Sequence, residues 1–215
     1  MAKPAVSSIA AGEFTPVCTT EFIAFAKMQP QFAALNTELL GLSIDSNPSH
    51  LAWVYAIYLA VGIQIPFPIV ADRTGEIARL YGMVAPETSQ QETVRNVYFI
   101  DPNQIIRAIL VYPITNGRSI PEILRLLIAM QTTDREHVVT PANWVPGQPA
   151  LVPPPQTYQQ LLERQADPQA QGLSCEEWWW CYKGLPPTDE SGLVLHTTPP
   201  PSPAPAAPPN PGQNP

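Results

Sequence analysis

The residues with the clearest chemical potential lie near the N-terminus, where Thr15 to Glu21 reads TPVCTTE. A threonine followed by a proline is typical of a helix start, because threonine can cap free N–H groups and proline needs no acceptor at the first helical position. Cys18 would then lie in the first helical turn, where the helix dipole and unsatisfied N–H groups stabilise an anion. The pattern therefore favours the thiolate form of Cys18, which is a nucleophile.

A thiolate at this position needs a cationic partner, and Arg95 is the best candidate. It opens the stretch VRNVYFID, which predicts a strand whose end can face the start of a helix. The Thr15 hydroxyl can reach any group that meets the sulfur. On the residues alone an alternative stays open: free cysteines are often buried and inert, and Thr15 would then be only a helix cap.

The other two cysteines, Cys175 and Cys181, enclose three tryptophans in CEEWWWC. Three cysteines are an odd number, so they cannot all form disulfides within one chain. The pair admits a redox role, a zinc site, or idle thiols in a segment packed by its tryptophans. Zinc is disfavoured by the five intervening residues and the lack of a nearby histidine or second cysteine pair. His50 and His137 are interpreted as packing or surface residues.

Apolar periodicity predicts alternating helices and strands up to about residue 131. The predicted order is helix, strand, helix, strand, helix, strand, strand, helix, in segments 15–35, 38–45, 46–62, 66–72, 74–83, 94–101, 104–112 and 119–131. Strands separated by helices pair in parallel, and the final hairpin adds an antiparallel edge. This order predicts an α/β protein with helices on both faces of a mixed, thioredoxin-like sheet. Such a sheet starts with a strand before the first helix, and only Lys3–Ile9 can supply one, so we expect it to be short or missing.

The 28 prolines exceed the usual share of about 5% and concentrate toward the C-terminus. Their distribution divides the chain into regions of different character. We expect an atypical N-terminal segment (1–12), a thioredoxin-like domain (13–135), an extended C-terminal arm (136–185) and a disordered proline-rich tail (186–215).

The charge and hydropathy of the chain exclude some function classes. A formal net charge of −7 argues against binding to nucleic-acid phosphates, which requires a basic face. The longest apolar run, Leu51–Ile65, is broken by Gly62 and Gln64 and is too short to span a bilayer. The N-terminus lacks the apolar core of a signal peptide. These features favour a cytoplasmic protein.

Six blocks of the sequence, taken in order, resemble the peroxiredoxins of the AhpC/TSA type: FTPVCTTEF, LLGLSIDS, IPFPIVAD, VRNVYFID, IIRAILVYP and TPANW. The resemblance is to the one-cysteine-like subfamily with an extended C-terminal region, as found in archaea and bacteria, and covers about residues 13–183. It implies a thiol-specific peroxidase that reduces hydrogen peroxide and organic hydroperoxides without metal or haem. It also implies thioredoxin or another dithiol as electron donor, and homodimers formed through sheet edges that often assemble into rings. By the same resemblance, the C-terminal arm (136–185) is a dimerisation region.

The resemblance also implies roles for individual residues. Cys18 matches the peroxidatic cysteine, whose thiolate attacks the O–O bond and becomes a sulfenic acid. Thr15 matches the threonine that hydrogen-bonds peroxide and thiolate, and Arg95 the arginine that stabilises the thiolate and the developing charge on oxygen. Glu21 matches a glutamate that orients an arginine.

For the C-terminal pair, the resemblance implies that Cys181 resolves the sulfenic acid of a neighbouring subunit. Cys175 then becomes an auxiliary thiol. Both assignments depend on the match between CEEWWWC and a tryptophan-rich cysteine pair in related enzymes.

The resemblance weakens ahead of Cys18. The family pattern Pro-x-x-x-Thr-x-x-Cys has Ala11 at the proline position, and Ala10 at a preceding position that is often histidine. Proline would shape this loop, so we expect a looser loop and a more exposed Cys18. The family's N-terminal hairpin and long central strand are also missing at full length, which predicts an N-terminally truncated domain. The alternative function is therefore a catalytically impaired, oligomeric binding or chaperone protein.

Overall fold

A computed structural model describes the backbone of residues 5–10 and, with side chains, residues 12, 14–83 and 95–186. The predicted disorder of the tail concerns residues that, apart from Pro186, lie outside this description.

The described residues form the elements β1 (Ala5–Ala10), α1 (Pro16–Ala34), β2 (Thr37–Ser43), α2 (Asn47–Val61), β3 (Ile69–Ala71), α3 (Glu76–Leu80), β4 (Arg95–Ile100), β5 (Ile106–Tyr112), α4 (Ile120–Glu136), β6 (Ala150–Leu151), α5 (Tyr158–Ala166), β7 (Leu173–Glu177) and β8 (Trp180–Lys183). The predicted α/β order is thus confirmed, with a strand before the first helix.

The main sheet has the order β3-β2-β1-β4-β5, so the short N-terminal strand β1 occupies its centre. Strand β1 pairs in parallel with β2 and antiparallel with β4. The expectation of parallel pairing is wrong for β4. Because β4 runs antiparallel to β1, its first residue, Arg95, lies at the end of the sheet where β1 finishes and leads into α1.

A cluster of aromatic and aliphatic side chains joins α1, α2 and α4 on one face of this sheet. Phe22, Phe25 and Phe32 of α1 are fully buried, and Phe22 contacts Trp53 of α2 with ring centroids 4.8 Å apart. A second cluster, which includes Leu42, Ala78 of α3 and Tyr98, lies on the other face. Helices therefore cover both faces, as predicted. Helix α1 also continues through Pro30, which does not break it.

Helix α2 begins and ends where its sequence predicts. The Ser46 side chain accepts a hydrogen bond from the Ser49 backbone N–H, and Gly62 ends the helix with a φ of 70°. A left-handed C-terminal residue is the conformation that glycine adopts without a steric penalty.

The C-terminal arm contains more regular structure than its sequence predicts. A second sheet has the order β6-β8-β7, and the tryptophan-rich segment is a β-hairpin whose turn is Trp178-Trp179. The predicted helix over 157–167 forms as α5, with Thr157 and Gln160 making a capping box. Among the described residues, no helix combines the length and apolar character needed to cross a membrane.

Candidate functional site

The free cysteine, Cys18, lies in the first turn of α1, as predicted. It is the third residue of the helix and only 4% exposed, so the expectation of a more exposed thiol is wrong. The Gly12 backbone N–H donates to its Sγ at 3.3 Å. Gly12 therefore lies against the sulfur, which is shielded from solvent.

Thr15 occupies the N-cap position of α1, but its side chain does not cap the helix. Its hydroxyl instead donates to the Gly12 carbonyl oxygen at 2.9 Å. Pro16, at the first helical position, lacks an N–H and reduces the need for a side-chain cap. Thr15 thus ties together the turn that carries the N–H donor to Cys18.

Arg95 reaches the same sulfur from the sheet. Its Nη1 donates to Cys18 Sγ at 3.0 Å, and its Nε donates to the Ile114 carbonyl oxygen at 2.7 Å. The second bond fixes the guanidinium plane, and Arg95 is only 5% exposed. The antiparallel direction of β4 explains how a residue 77 positions away in sequence arrives at the start of α1.

Glu21, one turn further along α1, joins Arg95 to a second arginine. Its Oε2 accepts from Arg95 Nη1 at 3.2 Å and from Arg118 Nη2 at 2.6 Å. Its Oε1 accepts from the Arg118 backbone N–H at 2.7 Å and from Arg118 Nε at 3.1 Å. All three side chains are buried, and one carboxylate between two guanidiniums leaves net positive charge beside the sulfur.

Sequence reasoning missed Arg118. Its Nη1 also donates to the Asn96 carbonyl oxygen at 3.0 Å, so it joins α1, β4 and the start of α4. The available signal was weak: an arginine in the turn immediately before the predicted helix that begins at Ser119. Nothing in the local pattern relates it to Glu21.

These residues create a site suited to nucleophilic chemistry at sulfur. Cys18 Sγ lies in the first turn of a helix and accepts hydrogen bonds from the Gly12 N–H and the Arg95 guanidinium. The same donors can stabilise charge that develops on an oxygen atom bound next to the sulfur. The structure thus brings together Thr15, Cys18, Glu21 and Arg95, the four residues singled out from the N-terminal half of the sequence.

Cys175 and Cys181 lie opposite each other in the β7–β8 hairpin and form a disulfide. A disulfide provides no thiolate ligands, so the zinc interpretation does not hold for this state of the pair. Among the described residues, no group of three or more histidine, cysteine or carboxylate side chains is arranged to hold a metal ion. His50 is buried in α2, where burial lowers its pKa, and His137 ends α4.

Comparisons with known proteins agree with this geometry. The profile of the AhpC/TSA family matches residues 2–109, and that of the C-terminal domain of 1-Cys peroxiredoxin matches residues 129–167. Peroxiredoxin 2 of Caldanaerobacter subterraneus subsp. tengcongensis is 52% identical over 172 residues, which cover 80% of this chain and 77% of that protein. A peroxiredoxin of Aquifex aeolicus is 48% identical over 181 residues, covering 80% of each chain.

Solved structures show the same similarity. A yeast mitochondrial 1-Cys peroxiredoxin superposes with a TM-score of 0.75 and 34% identity, covering 85% of this chain and 87% of the other. A cysteine-to-serine mutant of peroxiredoxin 6 of Arenicola marina gives a TM-score of 0.74 and 29% identity, covering 86% of this chain and 87% of the other.

The fold and the buried cysteine–arginine pair define a thioredoxin-like protein with a free cysteine held beside an arginine. The chain belongs to the peroxiredoxin family. It is therefore a thiol peroxidase, an oxidoreductase that uses peroxide and a thiol reductant and needs no prosthetic group. The alternative of an impaired binding protein is not favoured.

Proposed function

We propose that Cys18 is the peroxidatic residue of this thiol peroxidase. The observation that carries the proposal is the 3.0 Å contact between Arg95 Nη1 and the buried Cys18 Sγ. The thiolate attacks one peroxide oxygen, the O–O bond breaks, and Cys18 becomes a sulfenic acid. The departing oxygen takes a proton and leaves as water or an alcohol, so hydrogen peroxide and organic hydroperoxides follow the same path.

The residues around Cys18 have different roles in this reaction. Arg95 stabilises the thiolate and the charge that develops on the departing oxygen. Thr15 holds the Gly12 turn through its hydroxyl. The lone pairs of the same hydroxyl oxygen can accept a hydrogen bond from the peroxide. Glu21 and Arg118 act as positioning residues, because they contact Arg95 or one another rather than the sulfur.

Regeneration of the Cys18 thiol involves the C-terminal arm, which carries the other two cysteines. The sulfenic acid of Cys18 condenses with the Cys181 thiol of a neighbouring subunit, forming a mixed disulfide and releasing water. The Cys175 thiolate then attacks the Cys181 sulfur, releases the Cys18 thiolate and leaves the Cys175–Cys181 disulfide. The direct opposition of the two cysteines on β7 and β8 supports this last exchange.

An external dithiol closes the cycle by reducing that disulfide, and thioredoxin is the proposed donor. The similar yeast mitochondrial 1-Cys peroxiredoxin is described as resolving its thiol via glutathione and thioredoxin systems, which supports this choice. We place this protein in the cytoplasm, where reductants keep Cys18 available as a free thiol. Cell fractionation with an antibody to the chain tests the location.

Peroxide consumption tests the central assignment. Purified protein is followed with hydrogen peroxide and thioredoxin, thioredoxin reductase and NADPH. Cys18→Ser should abolish turnover, whereas Cys175→Ser should retain one rapid turnover of peroxide per chain and lose steady-state cycling. Equal single-turnover rates for Cys18→Ser and the unaltered protein would remove Cys18 from the proposed role.

Non-reducing electrophoresis after peroxide treatment tests the resolving pair. Cys175→Ser should accumulate a disulfide-linked dimer because the second exchange is blocked. The double variant Cys175→Ser/Cys181→Ser should not form it. A dimer that persists in the double variant would exclude Cys181 as the resolving residue.

Self-association into dimers and rings of dimers is also proposed. Strand β5 forms an edge of the main sheet, and its Ile109 and Val111 side chains are exposed. Helix α2 presents a second apolar surface through Leu51, Tyr55 and Leu59, which lie one turn apart on a helix that contains no charged residue.

Light scattering with size-exclusion chromatography tests these two surfaces separately. Val111→Lys should dissociate the sheet-edge dimer. Tyr55→Lys should leave dimers and remove larger rings. Unchanged masses for both variants would contradict the proposed surfaces.

A further inference from the structure

The tip of the β7–β8 hairpin exposes three consecutive tryptophans. Trp178, Trp179 and Trp180 are 36%, 52% and 42% exposed, and the first two form the turn itself. Hairpin turns favour glycine, asparagine and aspartate, so turn geometry does not explain large apolar rings here. Tryptophan is highly buried on average, and a cluster of exposed rings is typical of a contact surface.

Two of these rings and a neighbouring tyrosine form a row, which we term the aromatic ladder: Trp179, Trp180 and Tyr182. The Trp179 and Trp180 rings are stacked with centroids 6.0 Å apart, and the Trp180 and Tyr182 rings lie 6.5 Å apart. Trp180 Nε1 donates to the Tyr182 hydroxyl at 3.1 Å, which fixes their relative orientation. A row of flat aromatic faces is the surface that recognises polyproline helices.

The chain itself carries a proline-rich segment further along its sequence, after strand β8. Strand β8, which bears two of the ladder rings, ends at Lys183, and Leu185 then packs against the main core. The chain continues for residues 187–215, and 199–211 reads PPPSPAPAAPPNP. This segment contains no charged residue. Its prolines recur at every third position at Pro205, Pro208 and Pro211.

We propose that segment 199–211 docks on the aromatic ladder of its own polypeptide as a polyproline helix. Three residues per turn place the third-position prolines on one face, and the helix is preformed, so its ordering costs little entropy. The twelve residues 187–198 can extend over roughly 40 Å, which allows the segment to return to the hairpin. The proposal does not depend on the peroxidase assignment.

Tryptophan fluorescence tests the docking in the full chain. The chain has five tryptophans, and Trp53 and Trp144 are buried at 2% and 1% exposure, so acrylamide quenching reports mainly on the hairpin. Replacing ladder-facing prolines with serine should raise the quenching constant about twofold, because the ring faces lose their cover. The test variant carries serine in place of Pro199, Pro205, Pro208 and Pro211, which share one face of a three-residue-per-turn helix.

A matched control replaces Leu193, Val194 and Leu195, the other apolar group of the same tail, with serine. It should quench like the unaltered chain. Adding a synthetic peptide of residues 199–211 in excess to the proline variant should restore the low quenching constant, and a peptide with serine at every proline should not.

Each other outcome overturns the proposal. Unchanged quenching in the proline variant would show that the segment does not cover the ladder. A rise only in the leucine–valine–leucine variant would assign the contact to residues 193–195. The quenching constant could also rise on dilution, by the same amount in the unaltered chain and in the proline variant. That result would show that a second copy of the chain, and not segment 199–211, covers the aromatic ladder.

Discussion

Glu21 and Arg118 form three hydrogen bonds across 97 residues of sequence, two from the Arg118 side chain and one from its backbone N–H. This pair holds the start of α4 against α1. Glu21 also contacts Arg95, the residue that contacts the sulfur. The carboxylate therefore couples the stability of the fold to the geometry of the site.

Glu21→Gln should reduce both stability and activity. The change leaves two buried guanidiniums without their anion, which should lower the free energy of unfolding by about 3 kcal/mol. The rate of Cys18 oxidation should fall because Arg95 loses one of the contacts that orient it. Urea unfolding and single-turnover peroxide kinetics measure the two effects.

Glu122→Gln is the matched control for that variant. Glu122 pairs with Arg125 on α4, but its side chain is 41% exposed, so the variant should lose less than about 1 kcal/mol and keep full activity. If Glu21→Gln resembled Glu122→Gln in both measurements, the coupling would be wrong.

Arg95→Lys should slow the reaction of Cys18 with hydrogen peroxide by about 100-fold, the effect of losing one preorganised donor. Lysine keeps the charge but lacks the planar group that contacts Cys18 Sγ, Glu21 and the Ile114 carbonyl oxygen together. Stopped-flow fluorescence measures the second-order rate constant. Arg107→Lys, at a partly exposed pair with Asp134, should react at the unaltered rate, and a similar loss in both variants would contradict a specific role for Arg95.

Thr15→Val should reduce the same rate constant about tenfold, because losing the hydroxyl removes one hydrogen bond that holds the Gly12 turn. Thr15→Ser keeps the hydroxyl and should stay within about twofold of the unaltered protein. Comparing the two variants separates the effect of losing the hydroxyl from the effect of changing the shape of the side chain. Equal rates for the serine and valine variants would show that the hydroxyl is not needed.

The sequence predicts the position of the cysteine at the centre of the site, but not the residues that hold its neighbours in place. Pro16 and the apolar spacing of α1 place Cys18 in the first turn, since helix starts are encoded locally. Arg118 could not be assigned to Glu21, because pairing across 97 residues depends on how α4 meets the sheet. The Thr15 hydroxyl donates to the Gly12 carbonyl oxygen instead of capping the helix, and this contact depends on where Gly12 lies relative to the helix start.

Local sequence patterns also failed to predict the direction of β4 and the β-hairpin of the C-terminal arm. An intervening helix predicts parallel pairing, yet β4 runs antiparallel to β1 and thereby delivers Arg95 to the start of α1. The short strands β7 and β8 have tryptophans where a turn is expected to carry small or polar residues. Their pairing depends on a tertiary arrangement that joins Cys175 to Cys181.

Stability should depend on pH through His50, which is 5% exposed in the first turn of α2. Burial lowers its pKa below the ordinary value of 6.5. As the pH falls below that value, the unfolded chain therefore binds a proton that the folded chain does not. The free energy of unfolding should be highest above pH 6.5 and should decrease as the pH falls toward the folded-state pKa.

Urea unfolding at about pH 7.5 and about pH 5.5 measures this difference on either side of the ordinary histidine pKa. His50→Gln should lose less stability between the two pH values than the unaltered chain, since glutamine does not titrate. Ser46→Ala is the control, because it removes the cap of the same helix and should cost about 1 kcal/mol at both pH values without changing their difference. A pH-dependent loss in His50→Gln as large as that of the unaltered chain would assign the acid sensitivity to other groups.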